Sequence, residues 1–272
     1  MALAQSSLQL SAICGQIHPK TRIKRIVGGN NVDISETPWS AVFNMGSKRK
    51  PFQGLCAASL ISEQHFLTAA HCFEKAQTKF SRVIAGLTIV DRFHLDMLDE
   101  DNVFEVSKFI ESPDYNIKSG FNDIGLIEVS EKIKFTEFLR PVCIPDNDLK
   151  VEVDDFLTMT GWGATRCNKR QKCNGYSKSL KQVQVPVVDD RKCEWKYLFY
   201  RLNFESQVCA GDGYSGKDGC HGDSGAGLTF EVDDKHYVYA VHSWSRSCGK
   251  FGFPSVNSRV VPHVDWIRSI VK

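Results

Sequence analysis

Gly222-Asp223-Ser224-Gly225 places a serine hydroxyl in a turn that is flanked by glycines. Glycine adopts backbone conformations that other residues avoid, so the N–H groups around such a serine can point toward one common position. A serine between glycines is usually only a turn. A serine hydroxyl is also a poor nucleophile near neutral pH, and it needs a base within hydrogen-bond reach before it can attack a carbonyl.

Two other short patterns carry groups that could activate this serine. Thr68-Ala69-Ala70-His71-Cys72 places a histidine after an apolar run, and Asn122-Asp123-Ile124-Gly125-Leu126-Ile127 places a carboxylate at the head of a buried strand. A histidine can accept and return a proton near neutral pH, and a carboxylate can fix its tautomer and stabilise the imidazolium. Taken singly, such a histidine is more often structural and such an aspartate is more often a cap.

Together, and in the order His71, Asp123 and Ser224, the patterns resemble the trypsin/chymotrypsin family of serine endopeptidases. The resemblance extends from Ile26 to the C-terminus. Its further motifs are Ile26-Val27-Gly28-Gly29, Gly161-Trp162-Gly163, Val208-Cys209-Ala210-Gly211 and Ser243-Trp244. It implies that His71 is the general base, that Asp123 orients it, and that Ser224 is the nucleophile. The N–H groups of Gly222 and Ser224 would form the oxyanion hole.

The resemblance implies an all-β fold of two packed six-stranded antiparallel β-barrels with a C-terminal α-helix and the active site between the barrels. The residue pattern agrees, because short β-branched and aromatic runs alternate with turn residues from residue 26 to about residue 255. The clearest runs are residues 39–43, 59–67, 83–85, 124–129, 156–160, 182–188 and 237–244. Apolar residues at helical spacing predict a helix over residues 261–272. We expect a leader of residues 1–25 and a peptidase domain of residues 26–272, with barrels over about 40–140 and 141–258.

The resemblance also implies a zymogen. The basic sequence Arg22-Ile23-Lys24-Arg25 precedes Ile26. Cleavage after Arg25 by an activating protease would free the amine of Ile26, which would pair with Asp223 and order the oxyanion loop and the specificity pocket. The alternative interpretation is an exposed basic linker.

Ten cysteines without a Cys-x-x-Cys pair indicate five disulfides and an oxidising compartment. The resemblance implies the pairs Cys56–Cys72, Cys193–Cys209, Cys220–Cys248 and Cys14–Cys143. The last of these would keep the cleaved leader attached, and Cys167 and Cys173 are left to pair with each other. Residues 1–13 lack the pattern of a signal peptide. Secretion is therefore inferred from the cysteines and the resemblance.

By the same resemblance, Asp218 stands at the floor of the primary specificity pocket, where a carboxylate selects Arg or Lys. The alternative is that Asp218 caps a loop. The other candidate substrate-binding residues are Ser243, Trp244, Ser245 and Ser255. Ser245 and Ser255 replace glycines on the pocket walls, and Ala226 replaces a glycine beside the nucleophile. We therefore expect a narrower pocket and a crowded wall.

The formal charge of +2 and the absence of a long apolar run give no reason to expect nucleic acid or a membrane as a partner. The expected partners are protein or peptide substrates, an activating protease and protein inhibitors. We expect no cofactor and no metal, because the acidic residues within 96–101 fit a solvated loop better than a calcium site. Two competing hypotheses are a catalytically silent homologue that acts as a binding module and a disulfide-rich adhesion domain. The second explains the cysteines but not the spacing of the triad.

Overall fold

The computed structural model describes residues 12–17, 30–91, 98–167, 173–211, 219–246, 248 and 253–271. The strands in this part of the chain are β1 (Asn30–Asn31), β2 (Ser40–Ser47), β3 (Lys50–Leu60), β4 (His65–Thr68), β5 (Arg82–Ala85), β6 (Val103–Glu111), β7 (Gly125–Val129), β8 (Phe156–Gly161), β9 (Ala164–Cys167), β10 (Cys173–Tyr176), β11 (Lys181–Val188), β12 (Gln207–Ala210), β13 (Gly227–Val232), β14 (Lys235–Trp244) and β15 (Ser255–Arg259). The helices are α1 (Asp190–Lys196) and α2 (Val264–Ile270), and 3-10 turns cover Ile34–Glu36, Ala70–Phe73, Thr78–Phe80, Glu100–Asn102 and Val261–His263.

The strands form two closed barrels. The first has the order β2-β3-β4-β7-β6-β5. The second has the order β8-β11-β12-β15-β14-β13 and closes because β13 pairs back onto β8. Strand β1 adds to the edge of β11. The pairings between these strands are antiparallel, and closure leaves each barrel without a long free edge. The prediction of two six-stranded antiparallel barrels is confirmed.

Aromatic packing in the first barrel fixes the turn that carries His71. Phe73, two residues later on the same 3-10 turn, stacks on Phe109 with ring centroids 4.6 Å apart. Phe43 meets both rings edge-on. Offset and edge-to-face pairs of this kind contribute about 0.5–1.5 kcal/mol each beyond their buried area. The backbone around His71 is therefore anchored in the barrel core.

The C-terminal helix is shorter than its sequence pattern predicts. Residues 261–263 form a 3-10 turn, α2 covers Val264–Ile270, and Val271 is already extended. Val264 and Ile267 are fully buried in the core of the first barrel, as the apolar stripe predicts. Burying each such side chain contributes about 1.5–3 kcal/mol. Within the described residues, no helix has the length and apolar composition that crossing a bilayer requires.

Four of the cysteine pairs implied by the resemblance are joined in the described structure. They are Cys14–Cys143, Cys56–Cys72, Cys193–Cys209 and Cys220–Cys248. Cys173 is also disulfide-bonded. The hairpin of β9 and β10 sets the backbone of Cys167 directly opposite it. The bond between Cys167 and Cys173 stays our prediction.

Candidate active site

His71 and Asp123 meet at one end of the first barrel. His71 follows β4, Asp123 precedes β7, and these two strands pair with each other. The Nδ1 atom of His71 lies 2.7 Å from Oδ2 of Asp123. The backbone N–H of His71 donates to Oδ1 of the same carboxylate at 2.9 Å. Both carboxylate oxygens are therefore engaged by one residue, and the Nε2 side of the ring is directed away from Asp123.

The charges of this pair support each other. Burial alone raises the pKa of Asp123, which is 2% exposed, but the hydrogen bond and charge of His71 outweigh burial and hold that pKa below its usual value. Burial likewise lowers the pKa of His71, but the hydrogen bond and charge of Asp123 outweigh it and hold the pKa above its usual value. The arrangement favours an ionised carboxylate and stabilises an imidazolium.

Ser243 supplies a further hydrogen bond to Asp123. Its hydroxyl donates to Oδ2 at 2.5 Å, and both groups are buried. The sequence predicts Ser243 as a substrate-binding residue, and that role stays a prediction, because the hydroxyl contact with Asp123 leaves its backbone groups out of account. The two residues are 120 positions apart. No local pattern links them, and only the packing of β14 against the first barrel brings them together.

Ser224 lies in the turn before β13 and is half-buried. Its carbonyl oxygen accepts a hydrogen bond from the N–H of Ala57 on β3 at 2.7 Å, which ties the turn to the first barrel. The sulfur of Cys72 lies 3.9 Å from Nε2 of His71 and 3.9 Å from the carbonyl oxygen of Ser224. The described structure contains no hydrogen bond between the Ser224 hydroxyl and Nε2. In unliganded enzymes this contact is often long and shortens when substrate binds.

The turn needs its glycines. Gly222 and Gly225 have φ values of +97° and +86°, which side chains rarely adopt. A Cβ on Gly225 would lie 2.1 Å from Oγ1 of Thr68 and 2.3 Å from the carbonyl oxygen of Ala57. Only glycine lets the turn approach the first barrel so closely.

Along the turn, backbone N–H groups that donate within the protein alternate with N–H groups that do not. Those of Asp223 and Gly225 donate to backbone carbonyls at 2.8 Å. Those of Gly222 and Ser224 have no acceptor within the described residues. Two neighbouring donors without internal acceptors are what a developing oxyanion requires. They are the two donors that the sequence resemblance implies.

Asp223 is half-buried, and its carboxylate lies against Gly161 and Gly163. Its Oδ1 atom accepts from the N–H of Gly163 at 2.8 Å, and Oδ2 accepts from the N–H of Cys220 at 3.0 Å. A Cβ on Gly161 or Gly163 would come within 2.1 or 2.2 Å of the carboxylate oxygens, which explains both glycines of that motif. Burial raises the pKa of Asp223 to about 6. Within the described residues, the carboxylate has no ion-pair partner.

The predicted substrate-binding residues have different surroundings. Trp244 packs against both Tyr197 and Tyr200, with ring centroids 5.2 and 5.5 Å away, and Ser245 beside it is partly exposed. Ser255 is buried, and its hydroxyl donates to the carbonyl of Ala210 at 2.9 Å.

The methyl group of Ala226 lies in the core of the second barrel. This differs from the expectation that Ala226 crowds the wall of the site, since its side chain is used in packing. The hydroxyl of Ser255 is likewise engaged internally. Asp218, Arg25 and Ile26 lie outside the described residues.

Comparison with known proteins assigns the family. The family model described as Trypsin matches residues 26–267. The chain belongs to the trypsin family. It is a serine endopeptidase by that membership, which agrees with its two-barrel fold.

Three curated relatives of this trypsin-family chain are similar over most of its length. "CLIP domain-containing serine protease B14" of Anopheles gambiae is 30% identical, with 89% of this chain and 71% of the relative covered. "Testisin" of Homo sapiens is 30% identical, with 98% and 84% covered. "Hepatocyte growth factor activator serine proteases" of Canis lupus familiaris is 29% identical, with 94% of this chain but 38% of the relative covered.

Proposed function

We propose that this trypsin-family chain is a secreted zymogen whose activated form cleaves peptide bonds after Lys or Arg. Ser224 is the nucleophile, His71 the general base and Asp123 the group that orients it. The observation that carries the proposal is the buried Asp123 carboxylate, which binds both the ring and the backbone N–H of His71 beside the Ser224 turn. Burying a charge costs free energy unless the charge is paired and hydrogen-bonded, and the groups that pair with Asp123 hold the ring of His71 in the orientation of a proton acceptor.

The reaction proceeds in two halves. The Oγ atom of Ser224 attacks the scissile carbonyl carbon while Nε2 of His71 accepts the hydroxyl proton, and the carbonyl oxygen becomes an oxyanion held by the N–H groups of Gly222 and Ser224. His71 returns the proton to the departing amine, which leaves an ester on Ser224. Water that gives a proton to His71 then attacks the ester, and His71 returns that proton to Oγ of Ser224 as the ester bond breaks and the acid product leaves. Losing one oxyanion donor lowers the rate by about 10²–10³-fold.

Asp223 is the proposed activation switch. In the intact chain the nitrogen of Ile26 is an amide and carries no charge. Cleavage after Arg25 creates an amine, and a half-buried carboxylate without a described cation is a suitable partner for it. The pair would hold the Ser224 turn in its reactive form.

The leader remains attached in this proposal. Cys14 is joined to Cys143, and the backbone of Gly15 exchanges hydrogen bonds with Pro141 and His236 at 2.8 and 3.0 Å. After cleavage at Arg25, a non-reducing gel should therefore show one band at the full mass. Reduction should release a leader of about 25 residues. Release without reduction would contradict the attachment.

The preference for Lys or Arg rests on Asp218, for which the sequence resemblance is the support. Secretion rests on the disulfides, which persist in oxidising compartments. The expected macromolecular partners are protein substrates, an activating protease and protein inhibitors.

The proposal is tested with the chain cleaved after Arg25 and a panel of peptides that differ only in the residue before the scissile bond. We expect cleavage after Lys or Arg to exceed cleavage after Phe or Ala by at least about 100-fold, because an uncharged side chain would leave the proposed Asp218 carboxylate without a cationic partner. The matched control is Ser224→Ala, which should be inactive on every peptide. Preference for Phe or Ala would refute the role of Asp218. A Ser224→Ala variant as active as the wild type would refute the assignment of Ser224 as the nucleophile.

A further inference from the structure

The hairpin of β9 and β10 lies beside the turn that carries the nucleophile, and the proposed chemistry does not use it. Tyr176, the last residue of β10, pairs with Ala164, the first residue of β9. The N–H of Ser177, the next residue, donates to the carbonyl of Gly163 at 3.1 Å. These contacts fix the backbone from which the half-buried side chain of Tyr176 projects.

The hairpin holds the peptide group that joins His221 to Gly222. The N–H of Ala164 donates to the carbonyl of His221 at 2.8 Å. A trans peptide group is planar, so its C=O and N–H point in opposite directions. Anchoring the carbonyl of His221 to β9 therefore directs the N–H of Gly222 away from the hairpin, toward the space where the oxyanion would develop.

The ring of Tyr176 restricts the backbone of Gly222. A Cβ on Gly222 would lie 2.7 Å from Cε1 and 3.1 Å from Cδ1 of the ring, and 3.3 Å from the Cα of Gly163. The ring edge and Gly163 therefore close the space on one side of Gly222. A glycine has no side chain to restrict its own φ and ψ, so packing by neighbours must supply the restraint.

We propose that Tyr176 is a positioning residue for the oxyanion hole, because its ring holds Gly222 in the conformation that presents the N–H of Gly222 to the developing oxyanion. This inference rests on the proposed function, since it requires acyl transfer at Ser224. Tyr176 contacts neither the substrate nor the reacting atoms and acts through Gly222. Its contribution should therefore appear in the transition state and not in the binding of substrate.

The first test compares Tyr176→Ala with Tyr176→Phe in the chain cleaved after Arg25, with active sites counted by a covalent serine reagent. The substrate carries the residue that the enzyme prefers before the scissile bond, so the result does not depend on the role of Asp218. We expect Tyr176→Ala to lower kcat at least about tenfold, a partial loss of a donor whose removal costs about 10²–10³-fold, and to change KM less than about twofold. Tyr176→Phe keeps the ring edge, so its kcat should stay within about twofold of the wild type.

A peptide aldehyde reports on the oxyanion hole more directly. The hydroxyl of Ser224 adds to the aldehyde carbon, its proton passes to His71, and the former carbonyl oxygen becomes an oxyanion that the N–H of Gly222 can bind. The inhibition constant should rise at least about tenfold in Tyr176→Ala, in proportion to the loss of kcat. The matching peptide alcohol has no carbonyl and should bind both enzymes equally. The control variant is Tyr237→Ala, which removes a half-buried tyrosine of β14 and should change neither kcat nor the aldehyde inhibition constant.

Three results would overturn the inference while leaving the proposed function intact. One is a folded, fully titrated Tyr176→Ala enzyme whose kcat and aldehyde inhibition match the wild type. Another is a change confined to KM, which would place Tyr176 in contact with substrate. The third is a Tyr176→Phe enzyme that loses as much activity as Tyr176→Ala, because the hydroxyl and not the ring would then carry the effect.

A second variant keeps the test decisive if Tyr176→Ala does not fold. Tyr176→Leu retains an apolar side chain but has no ring edge, and it should show the same losses. A wild-type enzyme that neither cleaves peptides nor takes a covalent label on Ser224 would instead refute the proposed function, and the inference would fall with it.

Discussion

Replacing Gly225 by alanine tests how closely the Ser224 turn must approach the first barrel. Gly225 has φ of +86°, and its new Cβ would lie 2.1 and 2.3 Å from two oxygen atoms of that barrel. The left-handed conformation costs a non-glycine residue about 1–2 kcal/mol. Forcing a methyl group into a packed site costs about 1–3 kcal/mol more. We expect the free energy of unfolding to fall by about 2–5 kcal/mol.

Gly175→Ala is the matched control. Gly175 has a similar φ of +78°, but the nearest atom to its added Cβ is 3.7 Å away, which is ordinary contact. Its cost should therefore be the conformational part alone, about 1–2 kcal/mol. The difference between the two variants isolates the steric contact between the turn and the barrel.

Two assays decide the outcome. Urea unfolding gives the two free energies, and peptide cleavage at saturating substrate gives kcat. The Gly225→Ala enzyme that remains folded should lose at least about 100-fold in kcat, because a shift of the nucleophile by about 1 Å has that effect. The Gly175→Ala enzyme should keep its activity. If the two variants were equally stable and equally active, the close docking of the Ser224 turn would not matter, and the reasoning would be refuted.

Three further predictions concern the charges of the site. Ser243→Ala should lower kcat about tenfold with little change in KM, because a hydrogen bond to a charged group contributes about 1.5–3 kcal/mol. The control is Ser206→Ala, which removes a buried hydroxyl without a described partner and should change neither kcat nor KM. The value of kcat/KM should increase with pH, with an apparent pKa above the ordinary 6.5, because His71 must be neutral to accept a proton and its pKa is raised. An apparent pKa below 6.5 would contradict this prediction. In the intact chain the folded-state pKa of Asp223, about 6, exceeds its unfolded value near 3.8, so the folded state binds more protons between these pH values. The wild-type free energy of unfolding, measured relative to Asp223→Asn, should therefore fall by up to about 3 kcal/mol as pH rises from 4 to 7, and a constant difference would refute the buried charge.

The short motifs predicted more of this structure than the strand patterns did. His71 and Asp123 each sit beside a buried strand, so pairing between β4 and β7 is enough to join them. Residues 59–67, in contrast, read as one strand-forming run, but they contain the end of β3, a turn and the start of β4. The break falls at the polar residues 62–64, where the N–H of Ile61 donates to the carbonyl of His65. A run of β-forming residues does not reveal such a hairpin when the turn lacks glycine.

The hydroxyl contacts that the sequence could not predict join elements that are distant along the chain. The hydroxyl of Ser243 donates a hydrogen bond to Asp123. The hydroxyl of Ser255 accepts one from Asn257 and donates one to a carbonyl of the neighbouring strand β12. Both hydroxyls could have faced substrate, since a strand position alone does not say which neighbour a side chain finds.

The central claim is that a proton passes from the hydroxyl of Ser224 to His71 when the serine reacts. The direct measurement is the rate at which a fluorophosphonate labels the chain after cleavage at Arg25, with the modified residue identified by peptide mass spectrometry. We expect one label per molecule on Ser224, and His71→Ala should slow its attachment by at least about 1000-fold, the upper range for a general base. A label on another residue, or an unchanged rate without His71, would contradict the account.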